Sequence, residues 1–564
     1  MVFYRMHEMI DEETSKELNA YSLVLQQLLY NRGLKTRAEA EAFISPTYED
    51  SLHNPLLLND AEKAVQRILK ALDAGERICI YSDYDCDGIP GAVLWHDFFK
   101  AVNHSNFFSY IPHRHYEGFG FNEQSLTKIQ EQAANLIITV DCGTSDVNTV
   151  VKANQLGIDV IITDHHEPEA ELPPALAIVN PKIGDSYPFE HLCGAGVVYK
   201  LLLALLQEGG FDIGKGQEKW WLDMVGLATV ADMVPLHGEN RVLAHYGLTV
   251  LRKTRRHGLR KLLQKQKVNP FYMTEDDIGF TIGPRINAAS RMDVPEIALE
   301  LLVTDGDEEA GLKVERLEKL NNERKGVVAS MVREAHGKIK SMTDIPPVIV
   351  MGNPSWRPSL VGLVASKLAE EYNRPSFVWG RDGNGVIKGS CRSNGKLSVV
   401  DIMRDSEDSF VEFGGHHMSG GFAVGESKIH DLPKDLANAV NQIAQESETI
   451  QITVDAEMLL NDVTSALVND LNQLAPFGVG NIKPIFLFNN VIPIKVEAFG
   501  KNKEHTKLIF DTASGPIEAI AFFKLPDTFR KAPRPDESIN IIANIEKSFF
   551  MGRTQIRLRI IELF

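Results

Sequence analysis

The chain has no Cys-x-x-Cys pair: its five cysteines, at 79, 86, 142, 193 and 391, stand apart, which excludes a disulfide framework or a thiol motif of that spacing. No apolar run reaches bilayer-spanning length, and Met1 to Glu13 lacks the hydrophobic stretch of a secretory signal. Positive charge is also scarce, with 59 Lys and Arg against 76 Asp and Glu, a formal net charge of −17. A protein that coats nucleic acid non-specifically needs a surplus of cations to neutralise phosphates, so that class is excluded. An enzyme that takes one strand into a narrow, locally basic channel is not. Internal repeats and low-complexity tracts are absent. The remaining composition, 44% hydrophobic and 24% charged over 564 residues, is that of a globular protein with about three or four domains.

Three short β-branched runs each end in acidic or imidazole side chains. Ile78-Cys79-Ile80-Tyr81 leads into Asp83-Tyr84-Asp85-Cys86-Asp87-Gly88, and Ile137-Ile138-Thr139-Val140 leads into Asp141-Cys142-Gly143. Asp159-Val160-Ile161-Ile162-Thr163 leads into Asp164-His165-His166. In an open parallel sheet the C-terminal strand ends share one edge, where ligands bind, so the three tips converge on one crevice. Carboxylates with imidazole suit Mn²⁺ or Mg²⁺ better than thiolate-seeking metals, and such clusters serve phosphoester hydrolysis. Alone, each piece has a plainer reading. The first resembles the start of a calcium loop, Asp141 could cap a helix, and adjacent histidines are commonly surface residues. Their joint placement at strand ends favours a metal site. Cys86 and Cys142 lie beside its acids, where oxidation would be harmful, so a reducing cytoplasm is the expected compartment.

Residues 1–76 read as helical, with Asp60 placed to cap the amphipathic stretch Ala61 to Leu72. From Arg77 to about Lys182 strands and helices alternate: Ile78–Tyr81, Ala92–Ala101, Phe107–Ile111, Leu136–Val140, Val147–Leu156, Val160–Thr163 and Ala177–Val179. That is the doubly wound α/β pattern. Residues 194–343 are mostly helical, and Asp307 to Met342 reads as a connecting helix. A second α/β unit has strands near Val348–Met351, Ser376–Trp379 and Val386–Ser390, a helix near Val361–Tyr372, and its end marked by Phe413-Gly414-Gly415-His416. From about 450 the pattern switches to period two (Phe486–Val496, Thr506–Phe510, Glu518–Phe523, Ile539–Ile545), a small β-barrel. The densest basic run, Arg252 to Lys261 with Lys265 and Lys267, reads as a solvated helix face, with backbone contact the lesser alternative.

These motifs, in this order over nearly the whole chain, resemble the DHH phosphoesterase superfamily, and within it the RecJ-type single-strand-specific 5′→3′ exonucleases. Further matches are Ile111-Pro112-His113-Arg114 with Glu117-Gly118-Phe119-Gly120, Asn180-Pro181, Cys193-Gly194-Ala195-Gly196 and Thr229-Val230-Ala231-Asp232. Later come Pro284-Arg285-Ile286-Asn287-Ala288-Ala289, Lys388-Gly389-Ser390-Cys391-Arg392-Ser393, Gly414-Gly415-His416, and Leu474 to Asn481. The resemblance implies a DHH catalytic domain over 77–305, a connecting helix over 306–343, a smaller DHHA1 α/β domain over 344–449 and an OB-like nucleic-acid-binding barrel over 450–564, behind the helical segment 1–76.

It also implies two metal ions, Mn²⁺ with Mg²⁺ possible, held by Asp85, Asp87, Asp141, His165 and Asp232, with Asp83 and His166 in or beside that set. Asp141, His165 and His166 are the expected catalytic residues, and Asp164 an orienter of a histidine ring or a strand-end cap. Arg114, Ser390 and Arg392 match positions that hold a 5′-terminal phosphate. Arg285 and His416 match positions that contact scissile or neighbouring phosphates. Tyr116, Phe119, Phe121 and Trp356 are candidate stacking residues, although aromatics are more often core; Trp220-Trp221 is expected to pack a helix interface. Some positions depart from the family pattern: Ile89-Pro90 stands where a small residue and Thr or Ser are usual, Ser290 replaces glycine, and Arg357 and Ser359 replace His and Gly.

The expected activity is metal-dependent hydrolysis of single-stranded DNA from the 5′ end to mononucleotides, in repair and recombination. The expected partners are single-stranded DNA, a helicase and a single-strand-binding protein, with no membrane, and the chain is expected to be a monomer. One alternative is a small-substrate phosphoesterase acting on oligoribonucleotides, phosphoadenosine phosphate or cyclic dinucleotides; another is a scaffold that has lost catalysis.

Overall fold

The runs that end in acids are strands of one parallel sheet, buried on both faces because helices cover each side. The computed structural model describes residues 3–444, 451–500, 503–550 and 553–564. The chain divides into two units: His53–Val234 with Tyr246–Thr449, and Met1–Leu52 with Pro235–His245 and Ile450–Phe564. The boundary expected at 449/450 lies outside the described residues.

In the first unit, strands β1 (Ile78–Ser82), β2 (Phe107–Tyr110), β3 (Leu136–Val140), β4 (Asp159–Thr163) and β5 (Ala177–Val179) lie in the order β2-β1-β3-β4-β5, all parallel. Strand order reverses between β1 and β3, which opens a crevice beyond their C-terminal ends. On one face Cys79, Tyr81, Ile137, Val160 and Ile162 pack with Leu126, Ile129, Val150 and Ala153 from helices Glu123–Glu131 and Val147–Gln155. On the other, helix Gly88–Ala101 approaches so closely that a Cβ on Gly91 would lie 2.5 Å from the Val140 side chain.

The second sheet of this unit has β6 (Ile349–Gly352), β7 (Ser376–Arg381), β8 (Ile387–Arg392), β9 (Glu412–Gly415) and β10 (Ser419–Val424), in the order β9-β10-β8-β7-β6. Only the β6–β7 pairing is parallel. Phe413 to His416 therefore opens a hairpin onto a further strand rather than ending the lobe. The 34-residue helix Asp307–Lys340 connects the sheets, burying Val314, Leu317, Met331 and Ala335 along one stripe. Members of the basic run pair internally: Lys261 with Asp307 (2.6 Å), Lys265 with Glu315 (2.6 Å), and Arg256 with Asp97 (2.5 Å) and Asp223 (2.8 Å).

The other unit has β11 (Ala456–Glu457), β12 (Phe486–Val491), β13 (Lys495–Phe499), β14 (His505–Phe510), β15 (Ile517–Ala521), β16 (Ile539–Phe550) and β17 (Arg553–Leu563), ordered β11-β12-β16-β17-β15-β14-β13. The expected single strand Phe486–Val496 is two, interrupted at Ile492-Pro493-Ile494, because proline cannot donate to a ladder. Phe486, Phe488, Leu508, Phe510, Ile541 and Leu558 share one core with Leu25, Leu28 and Leu29. Strand Tyr4–Met6 pairs with Ile452–Val454. Residues 1–76, read as one helical segment, thus divide at 52/53: the first part completes the barrel core, while helix Ala61–Asp73 packs on the parallel sheet unit. Asp60 does not cap that helix through its side chain, which instead accepts from the Ile178 N–H (3.2 Å) and Lys63 (2.6 Å).

Arg256→Ala would leave the buried Asp223 carboxylate without its cation, and a broken buried pair costs about 3–5 kcal/mol. Urea unfolding should show a loss of that order; a loss below about 1 kcal/mol would mean the pair is not structural.

Candidate metal centre

Asp83 follows β1, and the turn after it is set by Asp85, whose Oδ1 accepts from the N–H groups of Asp87 (2.8 Å) and Gly88 (3.2 Å). A Cβ on Gly88 would lie 2.4 Å from the Asp83 carbonyl oxygen, so only glycine lets the turn close so tightly before helix Gly88–Ala101. Pro90 falls within that helix's first turn, where its missing N–H leaves no intrahelical bond broken. The buried Asp87 carboxylate accepts from the Gly194 (2.6 Å) and Ala195 (2.7 Å) N–H groups, the first turn of helix Gly194–Glu208. A helix N-terminus is the natural seat for an anion. A Cβ on Gly194 would sit 2.6 Å from that of Asp141, which explains the glycine in Cys193-Gly194-Ala195-Gly196.

Asp141 closes β3 at φ +61°, a left-handed conformation uncommon for a non-glycine residue and characteristic of functional turns. His165, after β4, places Nε2 3.2 Å from Asp141 Oδ1 and 3.7 Å from both Asp87 Oδ2 and Asp232 Oδ2. Asp232 itself stands at the C-terminal end of helix Leu222–Ala231. Asp164 points elsewhere: it accepts from the N–H groups of Thr144 (3.0 Å) and His165 (2.8 Å) and from His166 Nδ1 (2.7 Å). It is thus a strand-end cap that orients His166, not His165.

Ligand atoms of three overlapping groups, Asp83/Asp85/Asp141, Asp87/His165/Asp232 and Asp141/His165/His166, each lie within 4.8 Å of one another. Burial, reinforced by the neighbouring carboxylates, pushes Asp87 up to about 7 and Asp83, Asp141 and Asp232 well above the usual carboxylate range. The buried Asp83 Oδ1 and Asp141 Oδ1 have no hydrogen-bond partner. Crowded, desolvated and partly unsatisfied oxygens of this kind fit a divalent cation. Burial and the His166 charge lower His165 to about 3, the neutral state a ligand needs. For His166 burial opposes charge, but the Asp164 hydrogen bond and charge override it and raise the ring to about 9.

A cleft of about 800 Å³ adjoins this centre, lined by Tyr84, Arg114, Tyr116, Phe119, Arg357 and Lys388 among others. The Arg114 guanidinium lies 4.6 Å over the Tyr84 ring, between two of the acids in sequence. Ser390 and Arg392 end β8 against Gly362, where a Cβ would come within 3.4 Å of Ser390 Oγ and 3.2 Å of Arg392 Nη2. Arg291 was not singled out by its motif, yet it is the hub: burial and then the charges of Arg114, Arg324 and Arg392 lower it to about 9, with Asp85 opposing. Two of the departures surround this region. Ser359 Oγ donates to the Arg291 carbonyl (3.1 Å) and its own carbonyl accepts from Arg291 Nη1 (2.6 Å), while Arg357 lines the cleft.

Other expected residues lie differently. Arg285 is buried, bonded to Glu318 (2.7 Å), the Thr281 carbonyl (2.7 Å) and Gln266, so its donors are used in tying helix Gly283–Met292 to the connecting helix. Its guanidinium is thus engaged by acceptors of the protein itself. His416 is exposed at the β9–β10 hairpin tip, and no hydrogen bond or ion pair ties it to the acidic cluster among the described residues. Phe121 and Trp356 are core residues, and Trp356 Nε1 donates to Glu334 (3.1 Å). Phe119 is exposed with its ring 5.6 Å from His166, and Tyr116 is exposed beside His113. Trp221 is buried near Phe98, whereas Trp220 stacks under Arg255. All five cysteines are buried and free, and among the described residues no helix is long and apolar enough to cross a membrane.

Three family models match the chain: the DHH family N-terminal domain over residues 77–229, the DHHA1 domain over 324–446 and the RecJ OB domain over 454–562. The single-stranded-DNA-specific exonuclease RecJ of Bacillus subtilis is 35% identical over 545 residues, covering 95% of this chain and 67% of that protein. The Haemophilus influenzae exonuclease of the same name is 32% identical, with 84% and 85% covered. The crystal structure of RecJ in complex with Mn²⁺ from Thermus thermophilus superposes with a TM-score of 0.80 at 25% identity, over 99% of this chain and 79% of that one.

The raised carboxyls make stability pH-dependent. Each binds a proton more readily folded than unfolded, so without metal the fold should weaken as pH rises from about 4 to about 7, where Asp87 ionises. Urea unfolding of EDTA-treated protein should show this decline, and Mn²⁺ should reverse it at neutral pH; a metal-insensitive profile would sink the site. Asp141→Asn should weaken Mn²⁺ binding by more than the roughly 10–100-fold typical of an outer partner, measured by calorimetry, with the far-UV spectrum unchanged.

Proposed function

Because the chain belongs to the RecJ family of single-stranded-DNA-specific exonucleases, we propose that it hydrolyses single-stranded DNA from the 5′ end, in the 5′→3′ direction, to mononucleotides. The observation that carries this reading is the adjacency of two opposite charge clusters. Buried acids suited to divalent cations meet, at Asp85, a group of arginines suited to phosphate.

Asp83, Asp85, Asp87, Asp141, His165 and Asp232 would hold two divalent ions, Mn²⁺ by preference and Mg²⁺ as the alternative; the Thermus relative has been solved with each metal. When bound, such ions activate a water and neutralise charge on the phosphate. Asp164 keeps His166 protonated and aimed at the same space, where a cation can hydrogen-bond a phosphate oxygen or the departing one. Arg114, Ser390, Arg392 and Arg291 would receive the 5′-terminal phosphate, for which a guanidinium fork is well shaped. A terminal phosphate held there sets which bond reaches the acids, and so makes cutting exonucleolytic. The exposed Phe119 beside His166 is placed to stack a base.

The barrel would add grip on the strand, and the functional divisions follow 77–305, 306–343, 344–449 and 450–564. A monomer in the cytoplasm, working in repair and recombination with a helicase and a single-strand-binding protein, completes the proposal. The small-substrate alternative has no observation in its favour: the matched relatives extend through the barrel, which that chemistry does not use.

Matched single- and double-stranded DNA, phosphorylated at the 5′ or 3′ end, should be digested in Mn²⁺ and in EDTA. Metal-dependent release of 5′ nucleotides from single strands only is expected; cleavage restricted to short oligonucleotides or cyclic dinucleotides would refute the exonuclease reading. Arg392→Ala should cut the preference for 5′-phosphorylated over 5′-hydroxyl ends by about tenfold or more, the loss typical of a charged hydrogen bond.

A further inference from the structure

The loop that presents Arg114 has no regular structure of its own to hold it. It is a single turn, in which the His113 carbonyl accepts from the N–H groups of Tyr116 (3.1 Å) and Glu117 (2.8 Å). The Glu117 side chain folds back inside this turn. Its Oε2 accepts from the His113 N–H (2.6 Å), and its Oε1 accepts from the Tyr110 hydroxyl (2.5 Å) and Lys128 Nζ (2.7 Å). Only 4% of the side chain is exposed, against 49% for Lys128. One carboxylate thus ties the Pro112–His113 peptide, one residue ahead of Arg114, to the end of β2 and to helix Glu123–Glu131.

The far end of the loop is fastened independently. Asp146 Oδ2 accepts from the Phe121 N–H (2.7 Å), and Gly120, at φ +84°, approaches so closely that a Cβ would lie 3.0 Å from Asp146 Oδ1. Asp146 belongs to the loop that starts at Asp141. Arg114 itself makes no hydrogen bond or ion pair to a protein carboxylate among the described residues; its guanidinium rests on Tyr84. Its position relative to the acids is therefore imposed through the backbone, by two clamps of which Glu117 is the nearer.

We infer that Glu117 is a positioning residue for recognition of the 5′-terminal phosphate, acting through Arg114. This rests on the proposed role of Arg114 and adds a group whose carboxylate never meets the substrate. Because the clamp needs two acceptor oxygens, Glu117→Gln disrupts it: the single amide oxygen cannot serve the His113 N–H and Lys128 together, and the charge opposite Lys128 is lost. Tyr110→Phe takes away one of the three donors and is the milder second variant.

The test is a double-mutant cycle on the full chain, reading kcat/KM for 5′-phosphorylated and 5′-hydroxyl single strands, with Mn²⁺ affinity measured by calorimetry. Glu117→Gln should lower the phosphate preference about tenfold or more while leaving Mn²⁺ affinity unchanged. In an Arg114→Ala background it should change the preference no further, and Tyr110→Phe should fall between wild type and Glu117→Gln. Equal loss on both substrates, or multiplicative losses with Arg114→Ala, would overturn the inference. A preference unchanged by Arg114→Ala would overturn both the role of Arg114 and the inference resting on it, whereas one reduced by Arg114→Ala but untouched by Glu117→Gln would overturn the inference alone.

Discussion

The structure turns on the burial of like charges. Asp83, Asp87, Asp141 and Asp232 crowd one desolvated space, and every one is pushed toward its protonated form. Such a cluster is unfavourable unless something offsets it. Part of the offset is built in: the first turn of helix Gly194–Glu208 meets Asp87 with two N–H groups, and Asp85 is engaged by the turn it caps. The unsatisfied oxygens of Asp83 and Asp141 remain, and they are the part that a cation completes. Two glycines, 88 and 194, mark where backbone had to come close enough for this to happen.

A second unfavourable cluster, of the opposite sign, lies next to the first. Arg291 is half-buried within reach of Arg114, Arg324 and Arg392, and desolvation together with their repulsion lowers its proton affinity. Among the described residues no carboxylate pairs with these guanidinium groups, a grouping that suits an anion as the crowded acids suit a cation. Asp85 faces both. A phosphate chain that carries negative charge to one cluster and places a scissile bond at the other relieves both strains together. The same logic explains how a chain of net charge −17 handles nucleic acid. A few arginines are grouped near the acids, while other cations, such as Arg256, Lys261 and Lys265, are paired with carboxylates.

Much of this was legible from residue order. The β-branched runs ending in acids became β1, β3 and β4 within a residue or so of their expected bounds, since both-face burial leaves no ambiguity of period. The motif matches singled out acids whose ligand atoms the fold brings within 4.8 Å of one another in overlapping groups, and Arg114 and Arg392, whose charges act on Arg291. Spacing alone could not separate Arg285 from Arg291, six residues further along the same helix: Arg285 pairs with Glu318, while Arg291 feels the charges of Arg114, Arg324 and Arg392. Asp60 was misjudged as a cap because the competing partner, the Ile178 N–H, is distant in sequence.

By itself the sequence determined the parallel α/β scaffold, the strand-end acids, the connecting helix and the period-two barrel. Each rests on local periodicity or on side-chain chemistry that reads the same in any context. Only the tertiary structure decided that Arg285 pairs with Glu318 while Arg291 lies within reach of the charges of other arginines. It also decided which histidine Asp164 orients, that Leu25 to Leu29 complete the barrel core, and that Glu117 clamps the turn carrying Arg114. Some of those choices depend on residues far apart in the chain, such as Arg285 with Glu318; the others depend on which way neighbouring side chains turn once strands and helices have packed.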